Sequence, residues 1–308
     1  MKQVSLLAKK SSIGKKPRLG WRDKLFYGIC YLIIAVLTLT VLYPILYVVA
    51  ASLSSASALL SGKVWLWPVD VTFVGYNAIL KYKEVWIGYR NTIFYTATGT
   101  FINICMTMLC AYPLARKNLY GRKPIMMIFT FTMLFSGGMI PNYILIKNLH
   151  MLNSVWSLLL PGAMSVYNMI VARTFIQNNI PGEILESTQI DGCSDTQFFF
   201  KMVLPLSKSI IAVLGLWYAV GHWNSYFNAF LYLTDENLYP LQIFLRDILL
   251  SSQLSSDIED PDAIAQMRTV QLVLKYAMIV VSTAPLFAFY PFVQKYFVKG
   301  VMIGSVKG

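Results

Sequence analysis

Six stretches of the chain are apolar for long enough to cross a lipid bilayer, and this limits the fold more than any other feature. A helix through the hydrocarbon core needs about 20 largely apolar residues. Residues 25–50, 92–115, 124–146, 155–176, 209–233 and 272–293 meet that length. Composition agrees, since 56% of the 308 residues are hydrophobic and 13% are charged, where a soluble domain carries about a quarter. Lipid must therefore solvate part of the apolar surface. The expected fold class is all-α integral membrane, with six transmembrane helices in one domain at 25–293 and tails at 1–24 and 294–308. Pro44, Pro113, Pro141, Pro285 and Pro291 fall in or near spans, which neighbouring helices make tolerable. The first run, Leu25 to Ala50, exceeds the ~7–15 residues of a signal-peptide core and reads as a retained span.

Charge sets the orientation. Lys2, Lys9, Lys10, Lys15, Lys16, Arg18, Arg22 and Lys24 precede the first run. Beside a membrane span such a tail marks a cytoplasmic anchor near anionic lipid, and nucleic acid is not an expected partner. The turn at 116–123 holds Arg116, Lys117, Arg122 and Lys123, whereas 147–154 holds Lys147 alone. The last tail has Lys295, Lys299 and Lys307. Both termini are predicted to be cytoplasmic in a multi-pass cell-membrane (inner-membrane) protein, with 177–208 the longest internal loop. External segments are expected at 51–91, with Trp65, Trp67 and Trp86 as interfacial anchors, and at 234–271. The second holds Asp235, Glu236, Asp247, Asp257, Glu259, Asp260 and Asp262. Its acidic run lacks the glycine turn and closing Glu of a calcium loop. It reads as a solvated face or a docking surface.

The spans are informative by what they lack. None of the fourteen Asp and Glu residues lies inside them, which argues against the ion site of a proton- or sodium-coupled carrier. The sequence contains no H-E-x-x-H, G-x-S-x-G or G-x-x-x-x-G-K-[ST] motif, so no catalytic site, metal site or nucleotide cofactor is expected on this chain. Cys30, Cys105, Cys110 and Cys193 show no disulfide or metal spacing. His222, alone among aromatic residues, reads as a hydrogen-bonded packing residue.

The loop at 177–208 carries the most local signal. Pro181 suits a first helical turn, and Glu183 and Glu186 then lie near the positive end of the dipole. Gly192 fits a left-handed C-cap. Ser194 to Gln197 has the S-x-x-Q form of a capping box that starts a second helix, and Pro205 marks entry to the next span. A helix–glycine–helix unit at the membrane surface is either a rigid handle for a partner or an ordinary interfacial loop. Local chemistry leaves both open.

The loop resembles the EAA loop of ABC importer membrane subunits, whose pattern is E-A-A-x-x-x-G, a nine-residue gap, then I-x-L-P. Glu186, Ser187 and Thr188 stand for E-A-A, with both alanines replaced by small polar residues. Gly192 is the glycine, Met202 stands for the isoleucine, and Leu204-Pro205 closes the motif. Asp191-Gly192, Arg173-x-Phe175 and Ile180-Pro181-x-Glu183 resemble the sugar-importer branch. The resemblance covers about 91–300. It includes Asn91-Thr92, Ala111-Tyr112-Pro113-Leu114-Ala115-Arg116, the 136–143 run from Ser136 to Tyr143, Leu152-Asn153, Leu160-Pro161-Gly162, the 223–229 run from Trp223 to Ala229, and Tyr239-Pro240-Leu241-Gln242. The first two match the family at large, and the other five are similar to the branch serving complex oligosaccharides and polysaccharide fragments of the aldouronate, polygalacturonan or alginate type.

The resemblance implies a type I ABC importer fold, with this chain a permease and no enzyme. It implies a second homologous permease, two copies of an ABC ATPase that hold ATP and Mg, and an extracytoplasmic solute-binding protein that delivers the sugar. Glu183, Glu186, Ser187, Thr188, Asp191, Gly192, Phe199 and Pro205 become the ATPase-coupling residues. ATP-driven closure would swing the spans by rigid-body alternating access. Sugars are held by aromatic stacking and by amide and hydroxyl hydrogen bonds, so Asn103, Tyr167, Asn168, Trp223, Asn224, Tyr226 and Asn228 are candidates for the substrate pathway. Each is also a candidate for helix–helix packing. A stand-alone ion-coupled carrier is the alternative reading, and a non-transporting scaffold is a third.

Overall fold

The computed structural model describes residues 20–251 and 261–302, with residues 251, 261–269 and 292–302 described by backbone alone. The basic tail up to residue 19, Asp257, Glu259, Asp260 and residues 303–308 lie outside the described residues. Every regular element among the described residues is helical. In chain order they are α1 (Trp21–Ser52), α2 (Ala56–Leu60), α3 (Val74–Lys81), α4 (Lys83–Ala115), α5 (Arg122–Leu134), α6 (Met139–Asn148), α7 (Trp156–Leu159) and α8 (Val166–Asn179). Then follow α9 (Gly182–Ile190), α10 (Asp195–Leu206), α11 (Lys208–Trp223), α12 (Phe227–Tyr232), a 3-10 turn (Glu236–Leu238), α13 (Leu241–Ser251) and α14 (Pro261–Met302).

Six unbroken spans are not what forms. Three helices are long and apolar enough to cross a membrane: α1, α4 and the 270–291 stretch of α14. Two bent pairs add up to two more, α5 with α6 at 112° and α10 with α11 at 77°. The segment expected as a span at 124–146 breaks after Phe135, and Gly138 there takes a left-handed φ of 88° that a side chain would strain. The 155–176 segment splits into α7 and α8 around Pro161-Gly162, because proline removes a ladder N–H. The 209–233 segment breaks at 224–226. Conversely, α4 starts nine residues before the expected position 92, and α14 overruns 272–293 at both ends.

α1 shows what lipid must do. From Trp21 to Leu46 its residues are exposed apart from half-buried Cys30, and its apolar side chains face outward all round. Thr38 and Thr40 return their hydroxyls to the carbonyls of Ile34 and Val36 at 2.7 and 2.8 Å, which satisfies them without water. Only the last turns are covered, where Ala50 packs with Ala58 and Val64.

α4 organises the rest. Its 33 residues span about 50 Å, and a separate apolar core forms at each end. Near its start Val85 packs with Ile79 of α3, Leu241 of α13 and Leu274, Ala277 and Met278 of α14. Near its end Met108, Ala111 and Leu114 pack with Met169, Ala172 and Ile176 of α8, Phe198, Phe199 and Val203 of α10, and Leu214 of α11. Polar side chains tie the start of α4 to a distant segment. Asn91 donates to the carbonyls of Asn237 and Tyr239 at 2.7 and 3.0 Å. Tyr95 donates to the Leu238 carbonyl at 2.8 Å, and the hydroxyl of Thr92 accepts from the Leu241 amide at 2.9 Å.

Gly88 permits this approach. A Cβ there would lie 2.9 Å from Phe244 Cδ2, 3.0 Å from Leu241 Cα and 3.1 Å from Leu241 N. Two of those atoms are backbone and cannot rotate away. Gly88→Ala is therefore expected to destabilise the chain by about 1–3 kcal/mol. Thermal unfolding in detergent measures this, and an unchanged midpoint would contradict it.

Candidate functional site

The segment from α8 to α11 builds an exposed helix on a rigid base. α9 starts after Pro181, which occupies the N-cap position one residue ahead of the first helical turn. It ends in a Schellman motif. The Gly192 amide donates to the Gln189 carbonyl at 3.0 Å, and the Cys193 amide to the Thr188 carbonyl at 2.9 Å. Gly192 takes φ 77°. No atom lies within 4 Å of where its Cβ would stand, so glycine is required there by backbone conformation and not by crowding.

α10 then opens with the capping box. Ser194 Oγ accepts from the Gln197 amide at 3.3 Å, and Gln197 Oε1 accepts from the Ser194 amide at 3.4 Å. Residues Phe199–Val203 form a π-helical turn. Pro205 follows within the same helix and has no N–H to close an ordinary turn, and a π-turn accommodates that missing donor. Pro205 thus lies before the 77° bend at Ser207, not at the start of a straight span.

The base is held through the end of α4. A helix end leaves carbonyls without partners. Arg173 Nε donates to the Leu114 carbonyl at 2.9 Å, and Gln177 Nε2 to the Ala115 carbonyl at 3.1 Å. These donors stand one turn apart on α8. Arg116 then reaches Asp195, in the first turn of α10, at 2.8 Å and Tyr112 OH at 2.8 Å. Partial burial opposes the charge of Arg116, but its bonds to Asp195 and Tyr112 outweigh that and raise its pKa above the ordinary value. The Tyr112 ring lies 5.3 Å from that of Phe199.

Upon this base, α9 has no buried residue. Ile184 and Leu185 are half-buried against the core and Thr188 is half-buried beside them, while Glu183, Glu186, Ser187 and Ile190 are exposed. Glu183, Glu186, Ser187 and Ile190 are spaced i, i+3, i+4 and i+7, which is one face of a helix. Ile190 is 87% exposed. Ser187 and Thr188 both bond back to the Ile184 carbonyl, at 3.0 and 2.9 Å. Their hydroxyls are satisfied inside the helix. Asp191 is the exposed C-cap and Phe199 is buried.

The seven pathway candidates separate. Asn103 is 1% exposed, with both amide atoms used: Nδ2 donates to the Gly162 carbonyl at 2.6 Å, and Oδ1 meets His222 Nε2 at 2.6 Å. Trp223 is buried and donates to the Ser282 carbonyl at 2.9 Å. Asn168 is buried as well. Asn103 and Trp223 occupy helix–helix contacts. Asn224, Tyr226 and Asn228 are exposed and lie together where α11 gives way to α12. The Asn224 amide nitrogen donates to the Val220 carbonyl at 3.0 Å. Tyr167 is 56% exposed beside Trp217, with ring centroids 5.9 Å apart, and lies on α8 apart from that break.

Sequence reading missed the partners that make this a unit. His222 does pack through a hydrogen bond, but its position depends on Gly99, where a Cβ would stand 2.4 Å from Nε2. Thr107 pairs with Tyr218 OH at 2.7 Å, and that hydroxyl also accepts from the Ser165 amide at 3.1 Å. Half-way along α4, then, Gly99, Asn103 and Thr107 hold α11 and the non-helical break before α8. A glycine followed by polar residues at i+4 and i+8 in an apolar helix is the available sequence signal.

Gly99→Ala is expected to displace the His222 ring and lower stability by about 1–3 kcal/mol. In the Gly99→Ala/His222→Ala double variant the two losses should fall short of their sum. Additive unfolding free energies would contradict the contact.

No protein-family model matches the chain. It is 39% identical over 288 residues to the polygalacturonan/rhamnogalacturonan transport system permease protein YtcP of Bacillus subtilis (strain 168), covering 93% of this chain and 100% of that one. It is 39% identical over 265 residues to protein LplC of the same organism, covering 86% and 89%. Among solved structures it superposes with a TM-score of 0.81 and 32% identity on a chain of a bacterial ABC transporter involved in the import of the acidic polysaccharide alginate. That match covers 91% of this chain and 99% of the other.

Proposed function

The chain belongs to the permease subunits of carbohydrate ABC transport systems, and from that premise we propose how it is driven and what it carries. It is a multi-pass membrane protein and a transport component, not an enzyme in itself. The ion-coupled carrier reading is not favoured, since relatives are named as transport-system or ABC transporter permeases and the similar structure is of an ABC transporter. The observation that carries the coupling proposal is the exposed face Glu183, Glu186, Ser187 and Ile190 on a helix whose base is locked to α4. A partner that grips this face moves α4, α8 and α10 together. In our reading α9 is the coupling helix of an EAA loop, and the partner is an ATPase dimer that binds ATP and Mg. Glu183 and Glu186 supply its charge, Ile190 its apolar knob, and Gly192 and Pro205 its fixed angle.

The membrane topology we propose has six crossings and both termini in the cytoplasm. The bent pairs α5–α6 and α10–α11 and the broken pair α7–α8 make the crossings that single helices do not. Non-helical backbone at membrane depth is tolerated where it is buried in protein or lines a cavity, so the breaks at 160–165 and 224–226 mark the pathway wall. Asn224, Tyr226, Asn228 and Tyr167 are the candidates left free to meet sugar. A second permease completes the pathway, and a solute-binding protein delivers the substrate from outside. Since the named relatives serve polygalacturonan/rhamnogalacturonan and alginate, we propose fragments of an acidic polysaccharide as cargo.

Reversing charge on a docking face costs several kcal/mol. Glu186→Lys is therefore expected to reduce oligogalacturonate uptake at least about tenfold and to weaken co-purification with the ATPase, without altering thermal unfolding of the chain. Gly192→Val, which forces a side chain into a left-handed conformation costing about 1–2 kcal/mol, should give the same loss, and Gly192→Asn a smaller one. Full uptake and intact ATPase association in both Glu186→Lys and Gly192→Val would overturn the coupling role.

A further inference from the structure

Where α4 hands over to α5, the turn closes an open cavity of about 650 Å3 against α8. Lys117 lines it from the turn, Arg122 and Lys123 line it from the start of α5, and Arg173 lines it from α8. None of the four has a carboxylate partner among the described residues, where the ion pairs are Arg116–Asp195 and Arg246–Asp247. Backbone offsets only part of this charge. Arg173 holds the Leu114 carbonyl, and Arg122 reaches the Arg116 carbonyl at 3.5 Å. The end of α4 presents about half a negative charge, and the start of α5 about half a positive one. A concave site with four cations that lack carboxylate partners concentrates anions. Counting Lys and Arg along the sequence explains three of them as an orientation signal. It does not explain Arg173, which the fold brings in from another helix.

The other wall is apolar. Met126 lines the same cavity, and beyond it α5 buries no residue. Met127, Ile128 and Phe131 are 70%, 62% and 57% exposed. A soluble anion would match the cations and leave this surface bare. A molecule with an anionic head and hydrocarbon tails matches both. We infer that the cavity binds the phosphodiester headgroup of an anionic phospholipid, whose acyl chains lie along α5. The inference rests on the chain being a membrane protein and not on the coupling role of α9.

Native mass spectrometry of the full chain released from nanodiscs of mixed phosphatidylglycerol and phosphatidylcholine tests it. The unmodified chain should retain phosphatidylglycerol in preference. Lys117→Gln/Lys123→Gln should weaken that retention about fivefold for each cation removed, with unchanged unfolding in phosphatidylcholine alone. Arg173 is left intact because it holds α4. Glu186→Lys should retain lipid normally, so a failure of the coupling reading leaves this result untouched. Equal retention of the two lipids by the unmodified chain, or full retention by the double variant, would overturn the site. Displacement of the lipid by millimolar inorganic phosphate would make it a soluble-anion site instead. Unchanged lipid with lost ATPase association in the double variant would make it a protein contact.

Discussion

The last carbonyls of α4 need donors, and meeting that need ties the end of α4 to α8 and, through Arg116, to α10. A helix end buried against its neighbours cannot leave its carbonyls to water. Arg173 and Gln177 supply two of those donors from α8, and Arg116 continues the chain of contacts to Asp195 on α10. The Coulomb share of the Arg116–Asp195 pair is small, since Asp195 is 68% exposed and such pairs contribute about 0–1 kcal/mol. Its value is geometric. It sets where α10 begins, and so where the Schellman turn at Gly192 can present α9.

The middle of α4 works by a different rule. There the requirement is close approach, which Gly99 permits by leaving room for the His222 ring. Asn103 then joins His222 to the Gly162 carbonyl in the break before α8. That carbonyl lies outside any helix and would be costly in an apolar setting without the bond. The same stretch of α4 therefore carries both the helix packing and the satisfaction of a broken segment. The helices of this chain are interrupted at 135–138, 160–165 and 224–226.

Local chemistry was legible in the sequence where a single turn decides it. Ser194 and Gln197 cap α10 and Gly192 closes α9, because each depends on residues three or four positions apart. Counting apolar length read the spans less well. Gly137-Gly138 and Pro161-Gly162 lie inside two of the expected spans, and the structure breaks at both. Asn103 and Trp223 looked like sugar ligands by residue type. Their amide and indole groups are taken by Gly162, His222 and Ser282, partners between 59 and 119 positions away.

The sequence alone determined that this chain lives in lipid, that its charge clusters in few turns, and that α9 is a short capped helix. Apolar length, charge and capping are properties of neighbouring residues, so they survive without a fold. Tertiary structure alone decided which polar groups remain free. It also decided which face of α9 stays exposed, and it brought Arg173 to the cations of the α4–α5 turn. Those outcomes depend on partners brought together from different helices, and no local pattern encodes the distance between a side chain and a carbonyl sixty residues away.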